Sequence, residues 1–135
     1  MNNLINFKGK VHVVIFVLLT ISISCSNGDD AKPNNTSRTL QFEIIGNFSG
    51  NIIASYTGAN GNTINEQLLS LPWTKEVIYN TTVAAAVIGV SGNGGVVNQQ
   101  VSLIIKKGGV QIASPYVFTA DSQGGFIGST PGVLL

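Results

Sequence analysis

The chain has very little of the residue types on which disulfide-bonded domains and many enzymes depend. Its 135 residues contain one cysteine, Cys25, and one histidine, His12. A single cysteine cannot form an intramolecular disulfide, and no histidine follows Cys25. The region after Cys25 therefore lacks the usual histidine and cysteine ligands of zinc and the histidine of a Ser–His or Cys–His nucleophile. We predict no metal site and no cofactor.

Charge is scarce as well, at 10% of the chain. Of the seven lysines and arginines, Lys8 and Lys10 precede Cys25, so residues 25–135 keep five against six acidic residues, a net charge of −1. That balance provides no basic field for nucleic acid. The glycine-rich residues 92–95 also lack the Lys-Ser/Thr ending of a phosphate-binding loop. We predict no nucleic-acid partner.

Residues 1–24 have the layout of a secretory signal peptide. Lys8 and Lys10 precede the apolar run 11–23, and the small residue Ser24 follows that run. Thirteen residues fit the apolar region of a signal peptide, whereas a membrane-spanning helix needs about 20. The pattern predicts export from the cytoplasm.

Cys25 follows this segment directly, which is the position of the acylated cysteine in bacterial lipoproteins. The three residues before it are Ser22, Ile23 and Ser24, of which only Ser24 matches the usual cleavage box of Leu followed by two small residues. We predict cleavage before Cys25 and its acylation, for example with palmitate, because three buried acyl chains hold a protein firmly in a membrane. The alternative is an ordinary signal peptide cleaved nearby, which leaves a free thiol. The predicted location is the cell envelope, lipid-anchored to the outer membrane on its periplasmic or outer side.

The rest of the chain predicts a short tether and one domain. Residues 25–37 are polar and rich in Asn, Asp, Gly and Pro, which is typical of a flexible linker. Residues 38–135 alternate short apolar runs with turn residues, and Asn60-Gly61 is a hairpin signal. The predicted strands are 38–45, 51–57, 63–69, 74–80, 82–90, 97–107, 110–118 and 126–129. We assign 82–90 to a strand rather than a helix because a glycine-rich stretch follows it.

This pattern predicts an all-β fold, an antiparallel β-sandwich of about seven strands with an immunoglobulin-like or transthyretin-like Greek key. Only four carboxylates fall within the predicted domain, namely Glu43, Glu66, Glu76 and Asp121. Two of them roughly 5–10 Å apart would be needed for glycoside hydrolysis. Each occupies a polar strand position or a loop, which indicates solvated surface charges, so we predict that the protein is not an enzyme.

Trp73 is the only tryptophan, and it follows Pro72 in the stretch 70–77. It either contacts a binding partner or fills one end of the sandwich core, with its N–H bonded to a backbone carbonyl. The sequence leaves both alternatives open.

The stretches 41–62, 69–77 and 101–114 together resemble the extracytoplasmic domain of the MmpS family of small mycobacterial membrane proteins. The most specific match is Leu71-Pro72-Trp73 followed by Lys75. The resemblance implies a seven-stranded sandwich that is a non-catalytic accessory of a large lipid or siderophore exporter. We take Trp73 and Lys75 as the candidate binding residues. The chain departs from many members in its lipoprotein signal, which is similar to those of Bacteroidota, and in lacking a cysteine pair.

Three functions follow as hypotheses. The first is a cell-envelope lipoprotein whose sandwich binds a protein partner or a lipid-like ligand, as an accessory to an envelope transporter. The second is a surface-exposed adhesin or structural domain, suggested by Asp29, Asp30 and the Thr- and Asn-rich strands. The third is a hydrolase that uses the four carboxylates.

Overall fold

The computed structural model describes residues 37–135, which form an all-β unit without any helix. The predicted all-β class is confirmed. The predicted signal peptide, Cys25 and the tether up to residue 36 lie outside the described residues. The strands are β1 (Thr39–Gly46), β2 (Asn51–Thr57), β3 (Thr63–Leu68), β4 (Trp73–Ile78), β5 (Ala85–Ala86), β6 (Ile88–Asn93), β7 (Gln100–Lys107), β8 (Val110–Gln111), β9 (Tyr116–Thr119), β10 (Phe126–Ser129) and β11 (Val133–Leu134).

These strands form two main antiparallel sheets and one small ladder. Sheet A has the order β4-β1-β7-β8, with β9 also paired to β7, and sheet B has the order β10-β6-β2-β3. The third ladder joins β5 and β11. β3 is a terminal strand of sheet B, and β4 is a terminal strand of sheet A. The chain therefore passes from one sheet to the other through residues 69–72.

The core lies between sheets A and B. Phe42 and Ile44 on β1 are buried, as are Ile52 and Tyr56 on β2. Successive side chains of a strand point to opposite faces, so the alternation of apolar and polar residues gives each strand one inner and one outer face. The rings of Phe42 and Tyr56 lie 6.0 Å apart across the two sheets. The two sheets therefore pack face to face as an antiparallel sandwich, while the Greek-key designation stays a prediction.

The register of the strands defines two ends of the sandwich. In the antiparallel ladder of β1 and β4, Thr39 faces Ile78 and Ile44 faces Trp73. We call the end where β1 starts the near end, since the chain from Cys25 joins the domain there. The opposite end, the far end, is formed by the loops 47–50, 69–72, 94–99 and 120–125.

The Asn60-Gly61 hairpin is confirmed, although its loop is longer than a two-residue turn. β2 and β3 are joined by residues 58–62, in which the N–H of Gly61 donates to the carbonyl of Gly58 at 2.9 Å. Gly61 has a φ of 86°, whereas Asn60 does not adopt a positive φ. The glycine alone therefore provides the left-handed residue that this turn requires.

The structure has 11 strands in the described residues, where the sequence predicts about seven. The predicted strand 82–90 is wrong at its start, because residues 82–84 belong to no strand. The rest is divided into β5 and β6 at Val87, which exchanges hydrogen bonds with Thr57 while β5 pairs with β11. β6 also continues to Asn93, into the glycine-rich stretch expected to end it. Residues 110–118 are divided into β8 and β9 around Pro115, which has no N–H to donate to the ladder.

Candidate functional site

Glu66 is the centre of a side-chain cluster that joins the terminal strands β3 and β4. Its Oε2 accepts hydrogen bonds from the hydroxyl of Tyr56 at 2.9 Å and from Nζ of Lys75 at 3.1 Å. Its Oε1 accepts a hydrogen bond from Nε1 of Trp73 at 3.1 Å. We call Tyr56, Glu66, Trp73 and Lys75 the Glu66 cluster. The two candidate binding residues, Trp73 and Lys75, thus both donate hydrogen bonds to the same carboxylate.

The Glu66 cluster lies on the inner face of the sandwich, at its edge. On β3, Glu66 shares a face with the buried Leu68, and on β4, Lys75 shares a face with the buried Val77. Glu66 therefore does not point to the outer face, as its polar strand position predicts, although its side chain at the edge of the sandwich is still 34% exposed. Charged side chains that point inward from terminal strands hinder pairing with the edge of another sheet. The period-two alternation of 64–68 was the signal that could have shown this orientation.

Trp73 is half-buried and packs against the core, with its ring 6.2 Å from that of Tyr56. Its N–H bonds to the carboxylate of Glu66 and not to a backbone carbonyl, so the predicted partner of this N–H is wrong. The ammonium of Lys75 lies 5.8 Å from the centre of the Tyr56 ring. Together these contacts fix the first residue of β4, and with it the base of the loop 69–72.

The hydrogen bonds of the cluster stabilise its charges. The pKa of Glu66 is lowered, first by the hydrogen bond from Trp73 and then by those from Lys75 and Tyr56, against the opposing effect of desolvation. The pKa of Lys75 is raised, mainly by its hydrogen bond to Glu66. Burial raises the pKa of Tyr56. A carboxylate with a lowered pKa is ionised near neutral pH, so Glu66 is a poor general acid there and forms an ion pair with Lys75.

Acid is expected to destabilise the domain partly through Glu66. Because its pKa is depressed in the folded state, its contribution is present above the ordinary value of 4.5 and is lost as the pH falls through the folded value. Urea unfolding between pH 7 and pH 3, followed by the fluorescence of Trp73, should show a smaller acid-induced loss in Glu66→Gln than in the unmodified chain. An identical pH dependence of the two proteins would contradict the prediction.

The other three carboxylates lie elsewhere. Glu43 pairs with Lys106 at 3.0 Å on the outer face of sheet A, where Glu76 is its diagonal neighbour. Asp121 accepts two backbone N–H groups within its own loop. Glu66 thus lies on a different face from Glu43 and Glu76. Within residues 37–135 there is also no group of three or more His, Cys, Asp or Glu side chains that could hold a metal ion.

The far end exposes apolar residues and carries very little charge. Leu69 is 96% exposed, Val96 60% and Val97 49%. Asp121 is the single charged residue of the four loops 47–50, 69–72, 94–99 and 120–125. We call these four loops the far-end surface. The sequence had pointed to Trp73 and Lys75 in this region, but Leu69, Val96 and Val97 were missed, because apolar residues in strand-rich sequence resemble core residues.

Hydrogen bonds between loops hold the far-end surface in one conformation. Oε1 of Gln99 accepts bonds from the backbone N–H of Ser49 at 3.1 Å and of Val96 at 2.8 Å. The N–H of Gly95 donates to the carbonyl of Gly124 at 2.9 Å. These hydrogen bonds join the loops 47–50, 94–99 and 120–125 to one another. The Glu66 cluster holds Trp73, the residue that follows the fourth loop, 69–72. A surface ordered before binding loses less conformational entropy when a partner binds.

At the near end, Arg38 fixes the point where the chain enters β1. Its guanidinium donates to the carbonyl oxygens of Tyr79 at 3.2 Å, Asn80 at 2.6 Å and Val83. The side chain of Arg38 thus ties the first strand to the segment that follows β4. Arg38 and the far-end surface therefore lie at opposite ends of the sandwich.

Comparison with known proteins gives no family for this chain. No protein-family model matches it, and no curated protein matches it either. Residues 37–135 include no helix long and apolar enough to cross a membrane. The resemblance to the MmpS family and the lipoprotein assignment both remain predictions.

Proposed function

We propose that the chain is a lipoprotein of the cell envelope, anchored to the outer membrane through Cys25, whose non-catalytic sandwich binds a protein partner through the far-end surface. The observation that carries this proposal is the 96% exposure of Leu69 on a set of hydrogen-bonded, almost uncharged loops. Large apolar side chains are exposed on these loops, and exposed apolar surface is typical of interaction sites. Depletion of charge is likewise typical of the centre of a protein interface.

The positions of the two ends support the same function. The predicted tether, residues 25–37, joins the domain at the near end, whereas Leu69 lies at the far end. The tether therefore joins the domain away from the far-end surface, which leaves that surface free to bind a protein in the envelope. Trp73 and Lys75 support binding indirectly in this proposal, because they hold the base of the loop that carries Leu69. An accessory subunit of an envelope transporter, as the family resemblance implies, would bind in this way.

Mass spectrometry of the mature amino terminus tests the anchor. We expect a triacylated Cys25 as the first residue of the protein isolated from the membrane fraction of its host. A Cys25→Ala variant is expected to accumulate with residues 1–24 still attached, because the lipoprotein signal peptidase requires the acylated cysteine. An unmodified thiol at Cys25, or a terminus at another residue, would contradict the anchor without affecting the proposed binding surface.

Site-specific photocrosslinking tests the binding surface. A photoreactive residue at position 69 is expected to form a discrete protein adduct in cells. The same residue at position 78 is the matched control, since Ile78 is 67% exposed but lies at the near end. Val96→Asp should reduce the adduct at position 69 at least about fivefold, because a charge would be desolvated at the contact. Equal adducts at positions 69 and 78, or none at 69, would contradict the proposed surface.

A further inference from the structure

The two lateral sides of the sandwich are closed in different ways. On the side of β3 and β4, Glu66 and Lys75 point inward from the terminal strands. On the side of β9 and β10, the inner contacts are aromatic: the ring of Phe126 lies 4.9 Å from that of Phe48 and 6.2 Å from that of Phe118. Only the first side therefore has the inward charges with which natural sheets hinder edge-to-edge pairing.

β10 is the terminal strand of sheet B on this second side. It pairs with β6 along one edge, and no backbone hydrogen bond within residues 37–135 extends from its other edge. The segment 122–135 has no charged residue, and no proline interrupts residues 126–129. Ile127 points to the outer face and is 86% exposed. This free edge, which we call the β10 edge, offers main-chain donors and acceptors beside an exposed apolar side chain.

We propose that the β10 edge pairs with the β10 edge of a second copy of the chain, in antiparallel orientation about a two-fold axis. Such a pairing joins two four-stranded B sheets into one of eight strands. An antiparallel strand edge is complementary to itself under a two-fold axis, since each N–H meets the carbonyl that its symmetry mate supplies. The absence of charge from 122–135 removes the like-charge repulsion that would oppose contact between identical edges.

The pairing places apolar side chains together on the outer face. In the register centred on Ile127, the two Ile127 side chains lie opposite each other, as cross-strand neighbours do in antiparallel sheets. Phe126 then faces Gly128 of the second copy. A shallow groove of about 360 Å³, lined in part by Ser55, Gly89 and Ser129, lies on the other side of Ile127, over β6 and β2.

The length of β10 limits the strength of this association. Four residues at about 3.4 Å each give roughly 14 Å of paired strand, so the buried area stays below the roughly 1,000 Å² expected of a stable interface. We therefore expect a reversible dimer whose population rises with concentration. The β10 edge is distinct from the far-end surface. An experiment can therefore contradict the dimer without contradicting the proposed partner binding, and the reverse.

Sedimentation equilibrium of the full chain in detergent, from about 1 µM to about 1 mM, tests the dimer. We expect a monomer–dimer equilibrium whose dissociation constant rises at least about tenfold in Ile127→Lys. Ile53→Lys is the matched control, because Ile53 is 42% exposed on the same face but lies on β2, with β6 between it and β10. That variant should change the constant less than about twofold. Both side chains are exposed, so both variants should retain the urea midpoint of the unmodified chain.

Disulfide trapping gives a second readout in a Cys25→Ser background. Ile127→Cys is expected to yield a covalent dimer under mild oxidation, because opposed residues of antiparallel strands approach within disulfide distance. Ile53→Cys is expected to remain monomeric. A chain that is monomeric at every concentration would overturn the proposal, as would a dimer unaffected by Ile127→Lys. A dimer weakened equally by both lysine variants would indicate stacking of the outer faces, which also overturns edge pairing.

Discussion

Replacing Glu66 by alanine is expected to lower the free energy of unfolding by about 2–3 kcal/mol. The substitution removes the acceptor of three hydrogen bonds, those from Tyr56, Trp73 and Lys75. Tyr56 contributes most to the loss, because it is only 2% exposed and its hydroxyl would lose the carboxylate acceptor. Lys75 contributes least, since its side chain is 40% exposed and can hydrogen-bond to water. Urea denaturation followed by the fluorescence of Trp73 measures the change.

Three further variants separate these contributions. Lys75→Met should cost about 0.5 kcal/mol, as is usual for an ion pair near the surface. Glu66→Gln should fall between the unmodified chain and Glu66→Ala, because an amide offers one acceptor oxygen where the carboxylate offers two. Glu76→Ala, on the exposed outer face of β4, is the matched control and should change stability by less than about 0.5 kcal/mol. If Glu66→Ala is no more destabilising than Glu76→Ala, the cluster does not hold β3 to β4.

Replacing Gly128 by alanine is expected to destabilise the domain by about 2 kcal/mol, although the change adds a single methyl group. Gly128 points inward from β10 against the ring of Phe118, and a Cβ built there would lie 2.0 Å from a carbon of that ring. Phe118 must therefore rotate away from a core in which it lies parallel to Phe126. The expected result is a lower urea midpoint with an unchanged denaturant slope.

Gly89→Ala is the matched control for this substitution. Gly89 faces outward on the neighbouring strand β6, and its added Cβ would meet the carbonyl oxygen of Gly128 at 3.5 Å, an ordinary contact. That variant should be neutral or stabilising by up to about 0.5 kcal/mol, because alanine restricts the unfolded chain. In a Phe118→Ala background the cost of Gly128→Ala should largely vanish, since the clashing ring is gone. An equal cost in both backgrounds would show that Phe118 is not the cause.

The sequence predicted much of the fold because its strands have clear alternation. In β1, Leu40, Phe42 and Ile44 alternate with polar residues, and the structure buries these three side chains. Register and sheet membership could not be predicted in this way, because they depend on residues far apart in sequence. The division of 82–90 between two ladders, for example, depends on Thr57 and on β11, which was not predicted as a strand.

The candidate sites were predicted only in part. Trp73 and Lys75 could be singled out as residues, but their common partner Glu66 lies on another strand of a different sheet. Leu69 could not be recognised as an exposed residue from the sequence. Whether a leucine next to a strand is buried depends on the path of the loop that follows the strand. Here the connection crosses between the sheets at the far end, and Leu69 points into solvent.

The sequence by itself determined the single cysteine, the absence of histidine and the low charge after residue 24, and the alternation that favours an all-β domain. These are local properties, because period-two burial and turn residues act over a few positions. The tertiary structure alone decided that Glu66 and Lys75 point inward together, that Leu69 is exposed opposite the near end, and that β10 has a free edge. Each of these features depends on which strands, distant in sequence, lie next to each other in the fold. That arrangement is determined by the burial of apolar side chains in the common core.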